Sequence, residues 1–427
     1  MPPKRDPPPA GSGVAEDGTP PPPPAKKAKA KKEELPEIIP QDPAPRRPAL
    51  PASARAFTCV SWNVAGLRAL MDKHPETLRA IADAESPDVI VLQEHKLQAS
   101  HVNDLTAKLR EILPEYPTAR FAVSTAKKGY SGVAVLARAR VEEDDTAAGG
   151  ARGGERGGGG GVSKFFQKKT ASMSSPAPSP STSVTLGPTA NRLLRISEGL
   201  GPDDKKTFVD EGRVLTMEFD RFFLVVAYVP NSGMKLDRLD YRVDTWDPAF
   251  RAYLDSLDAL KPVVFGGDLN VGRLDRDIYN VSAPHVKKSA GLTPRERDSF
   301  ESLLSSGGFA ADGYADTFRA FHPEANGWFT YWSGRVGNRP KNRGLRLDYF
   351  VASARMCPGG SGTKRGEEES EDTQPAEEKG GGAEKEGSRD GANDEPRAPR
   401  VRDAFILDRI TAASASDHAP IGVTISL

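Results

Sequence analysis

Short apolar runs alternate with amphipathic segments along most of this chain. Several runs are almost continuously apolar, as strands are when both faces are buried, and they lie at residues 57–62, 89–92, 133–136, 214–219, 222–229, 263–265, 347–351, 405–407 and 421–425. Helical patterns fall between them at residues 75–84, within 236–260, and from Thr293, which precedes Pro294 and Glu296 as a helix N-cap does. Because the strands are too many for one compact sheet, the pattern predicts an α/β fold in which two sheets pack face to face with helices outside.

Three stretches contain almost no large apolar residues and cannot offset the entropy cost of folding. They are residues 1–54, about 141–186 and about 358–400, and they are rich in Pro, Gly, Ser, Lys and Glu. We therefore expect a disordered, basic and Pro-rich tail at 1–54, followed by a single domain at 55–427 that the other two stretches interrupt. The remainder, roughly 280 residues, is large for one domain but suits a two-sheet enzyme.

Composition excludes several other classes of protein. The formal net charge is +0, and only Cys59 and Cys357 are present, so the chain has neither a disulfide framework nor a Cys/His zinc pattern. No apolar run approaches the length of a membrane span, so we expect no membrane partner. Nothing in the sequence indicates more than a monomer.

Two short motifs stand out in the low-complexity stretches. The lysine cluster at residues 26–32 is typical of a nuclear address, although it also fits an ordinary solvated charge run, and an organelle stays open as the alternative. Val162, Phe165 and Phe166 have the spacing of the peptide that docks on the replication sliding clamp, although Gly159 replaces the usual glutamine. The alternative is a linker with incidental phenylalanines.

Polar residues stand at the ends of several predicted strands. Asn63 ends the first strand, Glu94 follows the second, and Tyr228 ends the strand at 222–229. Asp268 and Asn270 follow the strand at 263–265, and Asp417 and His418 precede the last strand; Asp348 opens the strand at 347–351. Because strand ends can converge at one rim of a sandwich, we expect these side chains to form one site.

This set of side chains suits hydrolysis of a phosphodiester. Oxygen ligands favour Mg²⁺, with Mn²⁺ as a substitute, and the predicted ligand set is Asn63, Glu94, Asp268, Asn270, Asp417 and His418. Asp268 is the candidate base for water, and Asn270 shares its strand face. His418 can donate to a phosphoryl oxygen if a carboxylate holds its tautomer, and Asp348 is the candidate for that role. Each residue alone has an ordinary structural explanation, but their combination predicts metal-assisted chemistry.

Seven motifs carry a more specific resemblance. They lie at residues 61–69 (SWNVAGLRA), 92–96 (LQEHK), 129–133 (GYSGV), 228–231 (YVPN), 266–271 (GGDLNV), 345–349 (LRLDY) and 416–418 (SDH). Together they resemble the endonuclease/exonuclease/phosphatase superfamily and, within it, abasic-site endonucleases of the exonuclease III family. The resemblance implies a four-layered α/β sandwich with two mixed sheets between helices. It also implies a DNA repair enzyme that cleaves 5′ to an abasic site, leaving a 3′-hydroxyl and a 5′-deoxyribose phosphate, with 3′–5′ exonuclease and 3′-end cleaning activity in many members.

The resemblance also assigns roles to single residues. It implies that Glu94 and Asn63 hold a metal, that Asp268 activates water, and that Asp417 serves a second metal position. Asn270 would steady the transition state, His418 with Asp348 would contact the scissile phosphate, and Tyr228 would support catalysis. The implied DNA contacts are Arg68, Lys96, Tyr130 and Asn231, with Trp328, Leu345 and Leu347 lining a pocket for the flipped-out sugar. By charge alone, Lys96, Lys341, Arg343 and Arg346 are expected to neutralise phosphates.

Three departures from the family pattern affect the expected activity. Ala65 stands where many relatives have Asp or Asn, Met234 replaces an arginine of the vertebrate form, and Leu345 follows the bacterial pattern. These changes predict a weaker grip on product and more 3′-exonuclease activity. Two other classes stay open at this point: a catalytically silent DNA-binding scaffold, and a phosphatase of the same superfamily that acts on a lipid or a nucleotide.

Overall fold

The computed structural model describes residues 36–45, 47, 56–140, 191–201, 207–305, 313–358, 398–411 and 414–427. Its strands are β1 (Ala56–Asn63), β2 (Val89–Gln93), β3 (Thr118–Ala122), β4 (Val133–Ala137), β5 (Leu193–Glu198), β6 (Val214–Phe219), β7 (Phe223–Tyr228), β8 (Val263–Asp268), β9 (Tyr314–Asp316), β10 (Asp348–Ser353), β11 (Arg400–Ile406) and β12 (Ile421–Ser426). Its α-helices are α1 (Leu67–Lys73), α2 (Glu76–Glu85), α3 (Ala99–Ile112), α4 (Asp247–Asp258), α5 (Pro294–Ser305) and α6 (Thr317–Phe321). A π-helical turn, Tyr241–Trp246, leads directly into α4, and short 3₁₀ turns occur at Asp275–Asp277, Val286–Lys288, Gly334–Val336, Arg339–Lys341 and Ala354–Met356.

The strands form two six-stranded sheets. The first has the order β11-β12-β1-β2-β4-β3, and the second has the order β5-β6-β7-β8-β10-β9. In each sheet one central pair is parallel, β1 with β2 and β7 with β8, while the remaining pairs are antiparallel. The prediction of two mixed sheets is therefore confirmed.

The helices and sheets form four layers, with the two sheets packed face to face and helices on each outer face. The main core lies between the sheets and contains Phe57 and Val91 from the first sheet and Leu224 and Phe350 from the second. Helices α1 to α3 cover the outer face of the first sheet through a separate cluster, and α4 and α5 cover the outer face of the second. Each central strand contributes side chains to two cores, because successive residues point to opposite faces of the sheet. This explains why the sequences of these strands are continuously apolar.

Sequence patterns located the central strands but missed three others. The strands β3, β5 and β9 were not predicted, and each lies at an edge of its sheet. An edge strand buries less of its surface, as the half-exposed residues of β5 show, so it lacks the apolar run that marks a central strand. Helices α1, α3 and α6 were also missed.

The segment before the first strand contacts the domain, which corrects part of the predicted tail. The backbone N–H of Ile39 donates to the carbonyl of Lys341 over 2.9 Å, and that of Asp42 donates to the carbonyl of Asn326 over 3.1 Å. Residues 37–45 thus contact the domain, although their composition predicted disorder. A few specific contacts of this kind leave little trace in composition. The lysine cluster, the clamp-like motif and residues 141–186 lie outside the described residues, as do 359–397 of the second insert. Within the described ranges, no helix combines the length and apolar character needed to cross a membrane.

Candidate active site

Strand register brings the predicted site residues to one rim of the sandwich. In the second sheet, Asp268 at the end of β8 pairs with Tyr228 on one side and with Asp348 on the other. Asn63 ends β1 in the first sheet, and its Nδ2 donates across the sandwich to Asp268 Oδ2 over 2.9 Å. The start of β12 pairs antiparallel with the end of β1, so His418, just before β12, reaches the same rim.

An imidazole lies between two buried carboxylates. The Nδ1 atom of His418 is 2.8 Å from Asp348 Oδ2, and its Nε2 atom is 3.9 Å from Asp268 Oδ2. Burial alone would lower the pKa of His418, but the charges of Asp348, Asp268 and Asp417 outweigh it and raise the pKa to about 10. The ring is therefore a cation at neutral pH, with Nδ1 held by Asp348 and Nε2 directed towards Asp268.

Asp268 has the properties of a proton acceptor near neutral pH. Burial, followed by the charges of Asp348 and Glu94, raises its pKa to about 7, although His418 opposes this shift. The backbone N–H of Asn270 donates to Asp268 Oδ1 over 2.9 Å, which fixes the orientation of the carboxylate. A buried base whose pKa lies near the working pH is suited to removing a proton from water.

The carboxylate of Glu94 accepts from two neighbouring side chains. The hydroxyl of Tyr228 donates to Oε1, and Nζ of Lys96 is 2.7 Å from Oε2. Burial by itself would raise the pKa of Glu94, but Lys96, Tyr228 and His418 lower it, so the group is an ionised carboxylate. Burial and then the charge of Glu94 raise the pKa of Tyr228 well above its usual value, so the phenol keeps its proton.

Unusual backbone conformations are concentrated at this rim. Ala65, Glu94 and Asn270 have φ values of 50°, 51° and 51°, in the left-handed region that non-glycine residues seldom adopt. Gly267 has a φ of 131°, and a Cβ there would overlap with the carbonyl oxygen of Ala227, so only glycine fits immediately before Asp268. Such strain is characteristic of functional sites, where the surrounding structure holds it in place.

The rim has the donors that a divalent metal requires. Asp268, Asp348 and His418 each offer one ligand atom, and these atoms lie within 4.8 Å of one another. The charge of Glu94 also raises the pKa of Asp268, so the two carboxylates interact electrostatically. Asp417 is half-buried beside His418, and its charge acts on that ring. Carboxylate oxygens fit a hard cation better than a thiophilic one, whereas His418 in its protonated form is a hydrogen-bond donor and offers no lone pair to a metal.

Of the predicted DNA contacts, three are linked to residues of this rim, and the fourth, Arg68, follows Asn63 closely in the sequence. Asn231 donates through Nδ2 to Asn270 Oδ1 over 2.8 Å, and Lys96 pairs with Glu94 as described above. The hydroxyl of Tyr130 accepts from Arg213 Nη2 over 2.7 Å and from Arg238 Nη1 over 2.6 Å. Arg68 is exposed in the first turn of α1.

The three predicted pocket residues differ in exposure. Trp328 and Leu347 are 4% and 7% exposed, and Trp328 belongs to the main core. Leu345 is half-buried and exchanges two backbone hydrogen bonds of 2.9 Å with Tyr331. Tyr331 also forms an isolated antiparallel β-bridge with His418, which connects this segment to the rim.

Arg346 does not contact phosphate, and that prediction is wrong. The side chain is 0% exposed and donates to both oxygens of Asp277, over 2.9 and 3.0 Å. It also donates to both oxygens of Asp316. A guanidinium that is fully committed to two buried carboxylates cannot reach a ligand, so Arg346 supports the strand that carries Asp348.

Sequence reasoning missed Arg213. It is 1% exposed, and Nη1 donates to the carbonyl of Tyr228 over 2.9 Å while Nη2 donates to Tyr130. Glu211 accepts from both Arg213 and Arg238 and so completes the cluster. An arginine immediately before an apolar strand carries no local signal of burial, because its partners are distant in the sequence.

Comparison with known proteins places this fold and rim in a family. The profile of the Endonuclease/Exonuclease/phosphatase family matches residues 60–418. The DNA repair nuclease APEX1 of Danio rerio is 35% identical over 333 residues, which cover 78% of this chain and 84% of that protein. An exodeoxyribonuclease of Bacillus subtilis (strain 168) is 31% identical over 69% of this chain and 87% of that protein.

Solved structures give the same result. The crystal structure of AP endonuclease LMAP from Leishmania major superimposes with a TM-score of 0.58 at 26% identity, covering 92% of this chain and 93% of that one. Its fold agrees with the two-sheet sandwich described above. The chain therefore belongs to the endonuclease/exonuclease/phosphatase family, and its relatives there include AP endonucleases and exodeoxyribonucleases.

Proposed function

We propose that this chain is a DNA repair endonuclease that cleaves the phosphodiester 5′ to an abasic site in duplex DNA. The products are a 3′-hydroxyl and a 5′-deoxyribose phosphate. The observation that carries the proposal is the pairing of a buried base with a cation: Asp268, whose pKa is raised to about 7, has an oxygen 3.9 Å from Nε2 of His418. The relatives named as a DNA repair nuclease and as an AP endonuclease support the choice of substrate.

The residues of the rim have complementary roles in this reaction. Asp268 accepts a proton from the attacking water, and Asn270 holds the carboxylate through its backbone N–H. His418 donates from Nε2 to a phosphoryl oxygen, while Asp348 holds Nδ1 and stabilises the cation. Tyr228 keeps Glu94 in position through its hydroxyl.

We propose Mg²⁺ as the metal, with Mn²⁺ as a substitute. Glu94 and Asn63 would hold it, with Asp268, Asn270 and Asp417 around it and Asp417 serving a second position. Protonated His418, predicted from the sequence as a further ligand, would lie beside the ion as a hydrogen-bond donor. When bound, the ion supplies positive charge that stabilises the developing negative charge on the phosphate. The lowered pKa of Glu94 keeps its carboxylate ionised for this purpose.

An abasic nucleotide is the substrate that a small apolar recognition site beside the rim would admit. It lacks base stacking, so rotating it out of the duplex costs less free energy than extruding an intact nucleotide. Trp328, Leu345 and Leu347 would form an apolar wall that admits the bare sugar. The exposed side chains Arg68, Lys96 and Asn231, together with Tyr130, would contact the DNA backbone around it.

The test is nicking of a duplex that contains a single synthetic abasic site. We expect Mg²⁺-dependent cleavage that EDTA abolishes and that Asp268→Asn lowers by at least about a thousandfold, because the amide cannot accept the proton. Asp298→Asn is the matched control, because Asp298 is exposed on α5. Tight binding without nicking would instead indicate a silent scaffold, and phosphate release from a lipid or nucleotide alone would indicate a phosphatase.

A second activity, 3′–5′ exonuclease and 3′-end cleaning, is favoured by the exposed Met234. The side chain of Met234 is 85% exposed in the loop after Asn231, where an arginine would grip DNA by charge. A neutral residue at this position holds the nicked product less firmly. Digestion of a recessed 3′ end in Mg²⁺ tests this, and Met234→Arg should slow product release and reduce digestion if the reasoning is correct.

We also propose a nuclear monomer that binds the sliding clamp. The lysine cluster at 26–32 supports nuclear import, and replacing its lysines with alanine should move a fluorescent fusion out of the nucleus.

Val162, Phe165 and Phe166 support clamp binding, and Phe165→Ala/Phe166→Ala should abolish capture of the clamp by the purified chain. Light scattering in solution tests the monomer.

A further inference from the structure

Residues 37–45 and Arg47, here called the N-terminal strap, contact two separate parts of the domain. At one end, Arg47 Nε is 2.7 Å from Asp403 Oδ2 and Nη1 is 2.7 Å from Glu85 Oε2. The guanidinium also lies 3.7 Å from the centre of the Phe405 ring. These contacts attach the strap to β11 and to the end of α2, away from the catalytic rim.

The other end of the strap contacts residues 326–345, here called the pocket segment because it contains Trp328 and Leu345. The N–H of Ile39 donates to the carbonyl of Lys341 over 2.9 Å. In return, Nδ2 of Asn342 donates to the carbonyl of Ile39 over 3.3 Å. The side chain of Ile39 packs against the main core, so this contact includes apolar burial as well as hydrogen bonds.

Asp42 forms a second attachment immediately before Trp328. Its Oδ2 accepts from the N–H of Asn326 over 2.7 Å, and its own N–H donates to the carbonyl of Asn326 over 3.1 Å. The next residue, Gly327, has a φ of 71°, and a Cβ there would overlap with the carbonyl oxygen of Pro40. The strap and the pocket segment are therefore in direct backbone contact at the two residues that precede Trp328.

The pocket segment makes different contacts on its inner side, towards the catalytic rim. The N–H of Trp332 donates to the carbonyl of Asp417 over 2.9 Å. The rings of Tyr331 and His418 have centroids 5.0 Å apart. These contacts do not involve the strap, so the inner side of the segment keeps its attachment to the rim when the strap is loosened.

We infer that the N-terminal strap is a positioning element for substrate recognition: it holds the pocket segment from outside, so that Trp328 and Leu345 form a fixed wall of the sugar pocket. The identity of the ligand as an abasic sugar rests on the proposed function. Because His418 is anchored from the inner side, loosening the strap weakens recognition of the lesion and leaves the chemical step almost unchanged. The same loosening makes the backbone of the pocket segment more accessible to solvent.

The test compares two double variants of the full-length chain. Ile39→Ala/Asp42→Ala removes the partly buried aliphatic group and the carboxylate by which the strap is attached. Glu37→Ala/Ile38→Ala is the matched control, because it removes the same two side-chain types from the same segment, where Ile38 is 60% exposed and Glu37 is also exposed. Hydrogen exchange of peptides from 326–345 is measured first, and steady-state nicking of the abasic duplex second.

In the test variant we expect hydrogen exchange in the pocket segment to become at least about fivefold faster. We expect KM for the abasic duplex to rise about threefold to tenfold, with kcat within about twofold of the original chain. Removal of a nucleotide from an undamaged 3′ end should change less than abasic nicking does. The control should match the original chain in every measurement, and both variants should keep the far-ultraviolet circular dichroism of a folded protein.

Each other outcome overturns a defined part of the inference. Unchanged exchange in the test variant would show that the strap does not hold the pocket segment, whatever the activity. Faster exchange with an unchanged KM would show that the segment does not form the wall for the sugar. A fall in kcat equal to the rise in KM would assign the strap to the catalytic rim. If the original chain fails to nick abasic DNA, the proposed function fails, while the exchange result still decides whether the strap positions the segment.

Discussion

Replacing Arg346 by leucine separates a structural role from a DNA-binding role. The guanidinium is fully buried between Asp277 and Asp316, and each carboxylate accepts from it through both oxygens. Removing one partner of a buried ion pair costs roughly 3–5 kcal/mol, because a buried charge is left uncompensated. Here Arg319 still lies 2.6 Å from Asp277, and Arg273 lies 3.5 Å from Asp316. These two arginines compensate part of the charge, so we expect Arg346→Leu to lower the free energy of unfolding by about 3 kcal/mol.

The assay is urea denaturation with linear extrapolation of the free energy of unfolding. Arg335→Leu is the control, because Arg335 is exposed on the 3₁₀ turn Gly334–Val336, and a surface change of this kind costs within about 0.5 kcal/mol. The salt dependence of DNA binding is measured on the same samples. A loss below about 1 kcal/mol for Arg346→Leu, together with a salt slope reduced by about one, would refute this reasoning, because it would indicate a lost phosphate contact.

Three further predictions concern the acidic residues and the tyrosine. Burial alone would raise the pKa of Asp277, but the charges of two arginines hold this pKa at about 2. The ionised carboxylate therefore stabilises the folded protein above the unfolded pKa, and this stabilisation is lost as pH falls from about 4 to 2. We expect this group to account for about 2 kcal/mol of the acid-induced loss, and a carboxyl carbon signal in nuclear magnetic resonance that titrates near pH 4 would contradict it. Asp348→Asn should lower kcat about a hundredfold or more with little change in KM, because His418 loses the negative charge that stabilises its cation. Single-turnover nicking measures this effect. An unchanged kcat would exclude a role for Asp348 in stabilising His418. Tyr228→Phe should keep the packing and the melting temperature but lower kcat about tenfold, because Glu94 loses a donor, and a fall in melting temperature of more than a few degrees would assign the tyrosine to stability instead.

The sequence alone determined the central architecture and predicted which polar residues would meet at one rim. Apolar runs located the central strands because burial on both faces is a local requirement that each residue shows by its type. The polar residues that follow these runs fell at one rim because strand ends share a sheet edge. Even the pairing of Asp348 with His418, separated by about 70 positions, was predicted from the two motifs and is observed at 2.8 Å.

Only the tertiary structure decided which charges pair with which. Arg346 and Arg213 look like surface cations in the sequence, but the fold surrounds each with carboxylates or carbonyls from distant segments. The edge strands and the N-terminal strap were missed for a related reason, since they are fixed by a few long-range contacts and not by an apolar pattern. Hydrophobic periodicity is encoded locally, whereas the partner of a charged side chain is chosen by residues far away in the chain.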